Sequence, residues 1–312
     1  MKNQNNDWVS HFQRLDGAYA PATLSAYYAD ICHFVDWCAK NGIEPWPSSV
    51  EILARYVTEE GQRKSPATVG RRLVSIGKMH KLMGLPDATK SEDVILAVRR
   101  LRRMKGTAPA QARGLSLADL EQMIALEPAS LVGLRNKAIL ALGYEMLARR
   151  SELVALTDQD IEPRTDGTLR VFVRRSKNDP FGKGRLVYSS TSTRIHVENW
   201  ISARGEGFPR LFSPIYRGKP IKRELNSITV VRVIEQAASR LGPSKRRGVS
   251  GHSLRVGAAQ ELLCAGYDTA AIMRAGGWKS VTTLARYLEY ADHNVWQETR
   301  SGVPGFPEPQ SL

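Results

Sequence analysis

The sequence predicts a mainly α-helical protein of two parts, with a small β-hairpin in the second part. Apolar residues recur at helical spacing along most of the chain, whereas residues 168–188 change to an alternating pattern that is typical of strands. A Gly-, Pro- and Ala-containing stretch between two helical regions has no apolar periodicity. We therefore expect a helical N-terminal domain over residues 1–106, a linker over 107–115, a second domain over 116–300 and a disordered tail over 301–312.

Composition and charge indicate a globular protein whose partner is a polyanion. The 312 residues are enough for two cores, and 42% hydrophobic with 24% charged residues is ordinary for a folded chain. The formal net charge of +14 favours nucleic acid, because clustered lysines and arginines gain free energy by displacing the counterions around phosphates. A basic surface that serves only solubility is the alternative.

Neither a membrane nor a metal cofactor is expected. The N-terminal stretch lacks the apolar segment of a signal peptide, and no run reaches the about 18 apolar residues of a spanning helix, so we expect a cytosolic protein. Cys32, Cys38 and Cys264 lack C-x-x-C spacing, which predicts thiols in or near the core rather than a disulfide or a zinc site. The motifs G-x-x-x-x-G-K-[ST] and H-E-x-x-H do not occur, so no cofactor is predicted.

Four helices are predicted in the N-terminal domain, after a polar tail. They cover residues 21–39, 49–60, 65–83 and 91–105. Gly61 is expected to close the second helix. Ser65 caps the third helix, with Pro66 at its first position.

The third of these helices has a basic polar face. This helix carries Thr68, Arg71, Arg72, Lys78 and Lys81. The fourth helix is also strongly basic and leads into the linker. Such a face either contacts nucleic acid or is simply solvated, and the residues alone leave both interpretations open.

The second domain is predicted to contain helices on both sides of the hairpin. Helices are expected from the Ser116 cap onward and over residues 131–146, 192–204 and 227–241. Later helices are capped by Ser250 or Ser253, by Asp268 and by Ser280, and a short helix covers residues 291–300. The basic loop before Ser250 is expected to contact DNA phosphates through Lys245, Arg246 and Arg247.

Residues 250–290 hold the side chains that best fit an active site. His252 and Arg255, at i and i+3 near a helix N-terminus, are suited to a phosphate. Trp278 offers an indole N–H, and the phenol of Tyr287 is a candidate nucleophile. A helix-turn-helix with a buried tryptophan and an incidental tyrosine is the structural alternative, which the joint spacing disfavours.

The spacing H-x-x-R, then G-G-W, then a tyrosine nine residues after the tryptophan resembles the tyrosine recombinases, or phage integrase family. The runs S-G-H-S-x-R-V-G-A-A and A-G-G-W resemble the Cre-like branch, in which Trp278 stands where most of the family has a second histidine. The run L-A-R-R-S-E-L resembles the first family motif, which implies that Arg149 is catalytic, Arg150 is its neighbour and Glu152 supports the cluster. Two arginines at a helix end, favoured by its dipole, are the alternative.

The resemblance also implies the remaining roles. Lys177, in R-S-K-N, matches the hairpin lysine of the family and is the candidate acid for the leaving 5′-oxygen, with Lys183 as the alternative. His252 is the candidate base or proton donor. Tyr287 is expected to form a 3′-phosphotyrosyl link, with Tyr290 three residues later as the rival nucleophile.

The resemblance implies a site-specific recombinase that needs neither metal nor ATP. Its fold would be a helical core-binding domain and a catalytic domain that form a clamp around double-stranded DNA, with the third helix in the major groove. Four subunits would act on two sites with inverted-repeat arms through a Holliday junction, and the last helix would dock on a neighbouring subunit. A catalytically inactive DNA-binding protein and a type IB topoisomerase-like enzyme are the alternatives.

Overall fold

The computed structural model describes residues 7–106, 111–174 and 183–293. The chain forms two compact units, Met1–Ala110 and Gln111–Leu312, and the division between them falls inside the predicted linker. The predicted 301–312 tail and most of the predicted 291–300 helix lie outside the described residues, and Ala291 to His293 are not helical. Within the described ranges, no helix is long and apolar enough to cross a membrane.

The first unit is a bundle of helices. Its helices are α1 (Asp7–Gln13), α2 (Pro21–Lys40), α3 (Val50–Arg63), α4 (Pro66–Leu82) and α5 (Glu92–Lys105), with a 3₁₀ turn at Ala88–Lys90. The four predicted helices are confirmed. The expected polar tail is wrong for its second half, because Trp8 and Phe12 of α1 are buried against Ile31 and Met79.

Gly61 does not end α3, as the sequence suggested, but lies buried inside it. A Cβ at this position would come within 2.7 Å of the Leu101 side chain on α5. The glycine therefore serves the close approach of two helices, and α3 continues to Arg63.

The second unit combines nine described helices with two small antiparallel sheets. Its helices are α6 (Leu117–Ala125), α7 (Leu131–Glu145), α8 (Arg150–Ala155), α9 (Thr191–Arg204), α10 (Ser227–Arg240), α11 (Pro243–Arg246), α12 (Ser253–Cys264), α13 (Thr269–Gly276) and α14 (Val281–Leu288). The strands are β1 (Ile161–Pro163), β2 (Leu169–Val173), β3 (Arg185–Ser189), β4 (Ile215–Tyr216) and β5 (Lys219–Pro220).

The predicted hairpin is present as β2 and β3, but it belongs to a three-stranded sheet in the order β1-β2-β3. The added strand pairs Ile161 with Val171 and Pro163 with Leu169. A strand of three residues is too short for its alternation to be recognised in the sequence. The expected basic loop after α10 is likewise partly helical, since α11 covers Pro243–Arg246.

Helix α7 lies at the centre of the second core, as its apolar composition predicted. Its buried side chains include Ile139, Leu140 and Leu142, and the core cluster around them reaches Trp200 on α9 and Leu254 on α12. A helix that is buried on all sides fixes the elements packed on it. The turn after α7 therefore has a well-defined position, and it begins the candidate site.

The described part of the predicted linker packs against the second unit. The Arg113 backbone N–H donates to Gly248 O over 2.9 Å, and the Leu115 N–H donates to Ser253 O over 3.2 Å. Leu115 is completely buried, and a Cβ on Gly257 would come within 1.7 Å of Leu115 O. Residues 111–115 thus secure the start of α12, the helix that carries Arg255.

The cysteines are only partly as expected. Cys38 is buried and Cys32 is half-buried, whereas Cys264 is exposed at the end of α12, where its Sγ donates to Asp292 O over 3.5 Å. The prediction of a core thiol is therefore wrong for Cys264.

Candidate active site

Arg255 is the centre of the candidate site, and it is completely buried on α12. One terminal nitrogen, Nη1, donates to Leu147 O in the turn after α7, and Nη2 donates to Gly276 O over 2.7 Å. The guanidinium carbon lies 3.8 Å from the centre of the Trp278 ring and 5.6 Å from that of Tyr287. The structure therefore brings three predicted site residues together around one positive charge.

Trp278 and Tyr287 form the aromatic side of this cluster. Their ring centres lie 5.0 Å apart with planes at 68°. Trp278 is 4% exposed, and its indole N–H is buried without a hydrogen-bond partner among the described residues. Buried N–H groups normally have partners, so this donor, like the equally unpartnered Nε of Arg255, is suited to an incoming acceptor such as a phosphate oxygen.

Two glutamine side chains hold the backbone of Tyr287 in place. The Tyr287 carbonyl oxygen accepts from Gln111 Nε2 at 3.2 Å and from Gln260 Nε2 at 3.1 Å. Leu284, one turn before it on α14, is completely buried in the core. Tyr287 itself is half-buried, so its ring packs against the core without being sealed from the surface.

Arg149 and Glu152 form the second half of the site, at the N-terminus of α8. The carboxylate of Glu152 accepts from Arg149 Nη1 at 2.7 Å and from the Arg149 backbone N–H at 3.1 Å. Arg150 is the first residue of α8 and is exposed, whereas the Arg149 side chain is 14% exposed. Arg149 is therefore the arginine that faces the buried cluster, and Glu152 orients it.

A third arginine, Arg185 at the start of β3, joins this cluster and was not predicted. Its Nη2 lies 2.9 Å from Glu152 Oε2. Its Nη1 donates to Ala275 O, and both terminal nitrogens reach Met146 O, at 3.4 and 3.3 Å. The strand pattern holds a signal for it, because Arg185 lies in register with the inward-facing Val187 and Ser189.

The charges in the cluster shift the pKa values of its members. Burial opposes ionisation of Glu152, but Arg185 and then Arg149 outweigh it and hold the pKa of Glu152 below its usual range. Burial, followed by repulsion from Arg149, lowers the pKa of Arg255 to about 10. Arg255 therefore stays protonated at neutral pH, and the cluster holds three guanidinium groups against one carboxylate.

His252 is exposed and stands at the N-terminal end of α12, one turn before Arg255. Its backbone N–H donates to Ser250 Oγ over 3.2 Å. The predicted cap is wrong in detail, because His252 takes the N-cap position and neither serine caps the helix. Instead, Ser253 Oγ accepts from Ser250 N at 2.9 Å.

The remaining candidates are exposed or lie outside the described residues. Lys177 lies outside the described residues, while Lys183 is exposed next to the start of β3. Tyr290 does not share a helical face with Tyr287, because α14 ends at Leu288, and Tyr290 is 70% exposed.

The predicted DNA-contacting residues divide into exposed and buried ones. Arg72 is 7% exposed and pairs with Glu60, with Asp30 at 3.9 Å, so its expected place on the polar face of α4 is wrong. The Arg71 side chain is 47% exposed, and its Nη1 donates to Asp30 Oδ2 over 2.5 Å. Thr68 and Lys78 are half-buried, and Lys78 Nζ donates to Tyr19 Oη over 2.9 Å.

The basic residues at α11 lie at the surface of the second unit. Arg246 and Arg247 are exposed, whereas Lys245 is half-buried and lies 2.6 Å from Asp119 Oδ1. Arg246 and Arg247 thus have the exposure that a phosphate contact needs, whereas Lys245 already has a carboxylate partner.

The model of the phage integrase family matches residues 114–294, which is more than half of the chain and includes the whole described cluster. The chain belongs to the phage integrase family. Among the relatives of this chain, an integrase/recombinase xerD homolog from Selenomonas ruminantium is 28% identical over 302 residues, covering 92% of this chain and 87% of that protein. Recombinase cre from Escherichia phage P1 is 28% identical over 275 residues, covering 82% and 80%.

Solved members of the phage integrase family share the fold. The Tn1549 transposon integrase in complex with transposon right end DNA superposes with a TM-score of 0.65 at 14% identity, over 94% of this chain and 97% of that one. The XerH site-specific recombinase bound to palindromic difH substrate, a post-cleavage complex, gives 0.64 at 16% identity, over 89% and 79%. The predicted family and the predicted fold class are thereby confirmed.

Proposed function

We propose that this phage integrase family member is a site-specific DNA recombinase that cleaves and rejoins strands through a covalent 3′-phosphotyrosyl intermediate. One observation carries the proposal: Arg255, Trp278 and Tyr287 meet in one cluster, beside Arg149, which Glu152 orients. This arrangement combines positive charge, a buried N–H donor and a nucleophile of the right chemistry.

The arginines address the main obstacle to the reaction. A phosphodiester is a poor electrophile because its non-bridging oxygens repel a nucleophile. Arg149 and Arg255 would neutralise the charge that grows in the transition state, since guanidinium stays protonated and can bind two oxygens at once. The Trp278 indole N–H would donate to a phosphate oxygen, where a fixed donor stabilises developing charge more than water does.

Tyr287 would attack the phosphorus in line with the leaving 5′-oxygen. The new O–P bond joins the tyrosine to the 3′-phosphate, and the broken bond releases a 5′-hydroxyl. His252 would accept or donate the proton at the tyrosine and phosphate, because imidazole changes protonation near neutral pH. Lys177 would protonate the leaving 5′-oxygen.

The covalent bond keeps the free energy of the phosphodiester. A 5′-hydroxyl from a second duplex could therefore reverse the step and rejoin the strands, with no metal ion and no ATP. We further propose four subunits on two target sites with inverted-repeat arms, which exchange strands one at a time through a Holliday junction in the bacterial cytoplasm. The palindromic substrate of XerH, a structural neighbour, supports the expectation of inverted repeats.

DNA contacts are proposed on both units. Thr68, Arg71 and Lys78 would contact the major groove from α4, while Arg246 and Arg247 would contact phosphates next to α11. Phosphate contacts position a protein on DNA, whereas contacts to base edges select the sequence. Buried Arg72 is better explained as a structural charge partner, and the charge of Lys245 is shared with Asp119.

A nicked suicide substrate tests this function. The probe is a duplex with the target site, recovered by cleavage selection from a random library, and a nick close to the scissile phosphate lets the 5′-hydroxyl fragment diffuse away. The proposal predicts a protein-DNA adduct that survives denaturing gels and is removed by protease. Tight binding without any adduct would indicate the inactive DNA-binding protein, and relaxation of plasmids without a target site would indicate a topoisomerase.

A further inference from the structure

Arg255, which is completely buried, and Arg185, whose side chain is 13% exposed, connect the same two chain segments in parallel. Arg255 joins Leu147 O to Gly276 O, while Arg185 joins the preceding carbonyls of each segment, Met146 O and Ala275 O. One segment is the turn after α7 and the other is the C-terminal end of α13. The two arginines thus form a double bridge between these segments. The sequence predicted only Arg255 as a site residue.

The bridge completes the hydrogen bonding at the end of α13. The last carbonyls of a helix lack partners within it and must be satisfied by other donors. At α13, Met273 O accepts from the Trp278 N–H and Arg274 O from the Gly277 N–H. The arginines on β3 and α12 take the two remaining carbonyls, so the helix end is held by side chains from outside it.

Gly277 makes room for Arg185. Its φ is +65°, in the left-handed region that favours glycine, and a Cβ at this position would come within 2.9 Å of Arg185 Cδ. The two glycines before Trp278 therefore make room for different groups: a Cβ on Gly276 would come within 1.8 Å of the Trp278 ring, and Gly277 leaves space for Arg185.

Both terminal nitrogens of Arg185 are bound within the protein, to Glu152, Met146 O and Ala275 O. Its Nε is buried without a partner among the described residues. The side chain is 13% exposed. The direct neighbours of Arg185 are the carboxylate that orients Arg149 and the helix end that precedes Trp278, so Arg185 connects two parts of the site.

We propose that Arg185 is a positioning residue for strand cleavage, which fixes Glu152 with Arg149 on one side and the α13 end with Trp278 on the other. This inference rests on the proposed function, since it assigns a role in the same reaction. Arg185 holds the groups that contact the phosphate at the separation that the attack of Tyr287 needs. Misplacement of such groups by about 1 Å costs about 100-fold in rate.

The electrostatics give this role a distinctive pH signature. Glu152 is faced by Arg149 from α8, Arg185 from β3 and Arg255 from α12. The charge of Arg185 is the largest single cause that lowers the pKa of Glu152, followed by the hydrogen bonds and charge of Arg149. Without Arg185 that pKa rises, so Glu152 takes up a proton at a higher pH and releases Arg149 there.

The test compares Arg185→Gln and Arg185→Lys with a matched control, Arg170→Gln. Arg170 lies on the neighbouring strand β2 in an exposed pair with Glu162, outside the cluster. Single-turnover cleavage of the nicked target duplex is measured at saturating protein from pH 5 to 8, with DNA affinity and far-UV circular dichroism measured alongside. His252 is present in all variants, so its own titration is common to every profile.

We expect Arg185→Gln to cleave about 100-fold more slowly at saturation, while its DNA affinity stays within about threefold. The acid limb of its pH profile, where the cleavage rate falls at low pH, should move to higher pH. Arg185→Lys keeps the charge, so its acid limb should stay in place. Its rate should still fall about 10-fold or more, because an ammonium cannot span a carboxylate and two carbonyls.

The outcomes distinguish a failure of the proposed function from a failure of the positioning role of Arg185. If the unchanged protein and Arg170→Gln form no adduct, the proposed function fails. If they do, and Arg185→Gln cleaves within threefold of them with the same pH profile, the positioning role fails. If Arg185→Gln does not fold, Arg185→Lys decides, and a wild-type rate in that variant overturns the proposal.

Discussion

The guanidinium carbon of Arg255 lies 3.8 Å from the centre of the Trp278 ring, and both side chains are almost completely buried. A cation over an aromatic face is stabilised by about 2 kcal/mol or more when water is excluded. This contact helps to explain how a charge can be kept in the core. It also makes the geometry around Trp278 sensitive to small changes.

Trp278→Phe removes the indole N–H while keeping a ring near Arg255. We expect the single-turnover cleavage rate to fall by about 100-fold, because one fixed donor to the phosphate is lost. Trp278→His offers a ring N–H and should lose less, about 10-fold. Rapid-quench measurements of the cleavage rate on the nicked target duplex test this order of the two variants. A Phe variant that cleaves as fast as the His variant would contradict the role of the indole N–H as a donor.

Gly276→Ala should disturb the site without touching a charged group. Its Cβ would come within 1.8 Å of the Trp278 ring, so the ring that packs on Arg255 has to shift. We expect a loss of about 1–3 kcal/mol in the free energy of unfolding and a slower cleavage step. Gly70 on α4 has no atom within 4 Å of its would-be Cβ, so Gly70→Ala should be neutral or up to about 1 kcal/mol stabilising. Urea titrations of both variants test the contrast.

Arg72→Gln should destabilise the first unit. Arg72 is buried with Glu60, and removal of one partner leaves an uncompensated carboxylate, which costs about 3–5 kcal/mol. Arg99→Gln is the matched control, because Arg99 pairs with Glu92 at the surface and its side chain is 65% exposed. The control should change stability by less than about 1 kcal/mol. Equal denaturation midpoints for the two variants would contradict a structural role for Arg72.

Glu152 should make the stability of the protein depend on pH. Its pKa is lowered in the folded state, so its ionised form contributes stability at pH values above the unfolded pKa. That contribution is lost as the pH falls through the folded pKa. The difference in free energy of unfolding between the unchanged protein and Glu152→Gln should therefore shrink from pH 7 towards acid. Denaturant midpoints over that range measure it, and a difference that grows on acidification would reverse the assigned sign.

The sequence was sufficient for the helices of the first unit and for the candidates near the C-terminus, because both depend on local spacing. Pro66 and Ser65 define the start of α4 by themselves, and the Trp278 to Tyr287 interval lies within a short stretch of chain. That interval is part of the family motif, and in the structure it brings the rings of Trp278 and Tyr287 into contact.

Contacts between distant segments could not be predicted. Arg185 meets Glu152, Met146 and Ala275 only in the folded chain, although an arginine in register with inward-facing strand residues was a signal for a buried ion pair. Arg71 and Arg72 are neighbours in sequence, but about 100° of helical rotation separates an exposed cation from a buried one. Gly61 looked like a helix end because its partner, Leu101, belongs to another helix.

The central claim is that Tyr287 is the nucleophile, and its most direct test is adduct formation by Tyr287→Phe on the nicked target duplex. Tyr290→Phe is the control, since Tyr290 lies beyond the end of α14 and is exposed. We predict that Tyr287→Phe binds the duplex with unchanged affinity and forms no covalent product, whereas Tyr290→Phe forms it at the normal rate. A protease-sensitive adduct with the Tyr287→Phe protein would contradict the account.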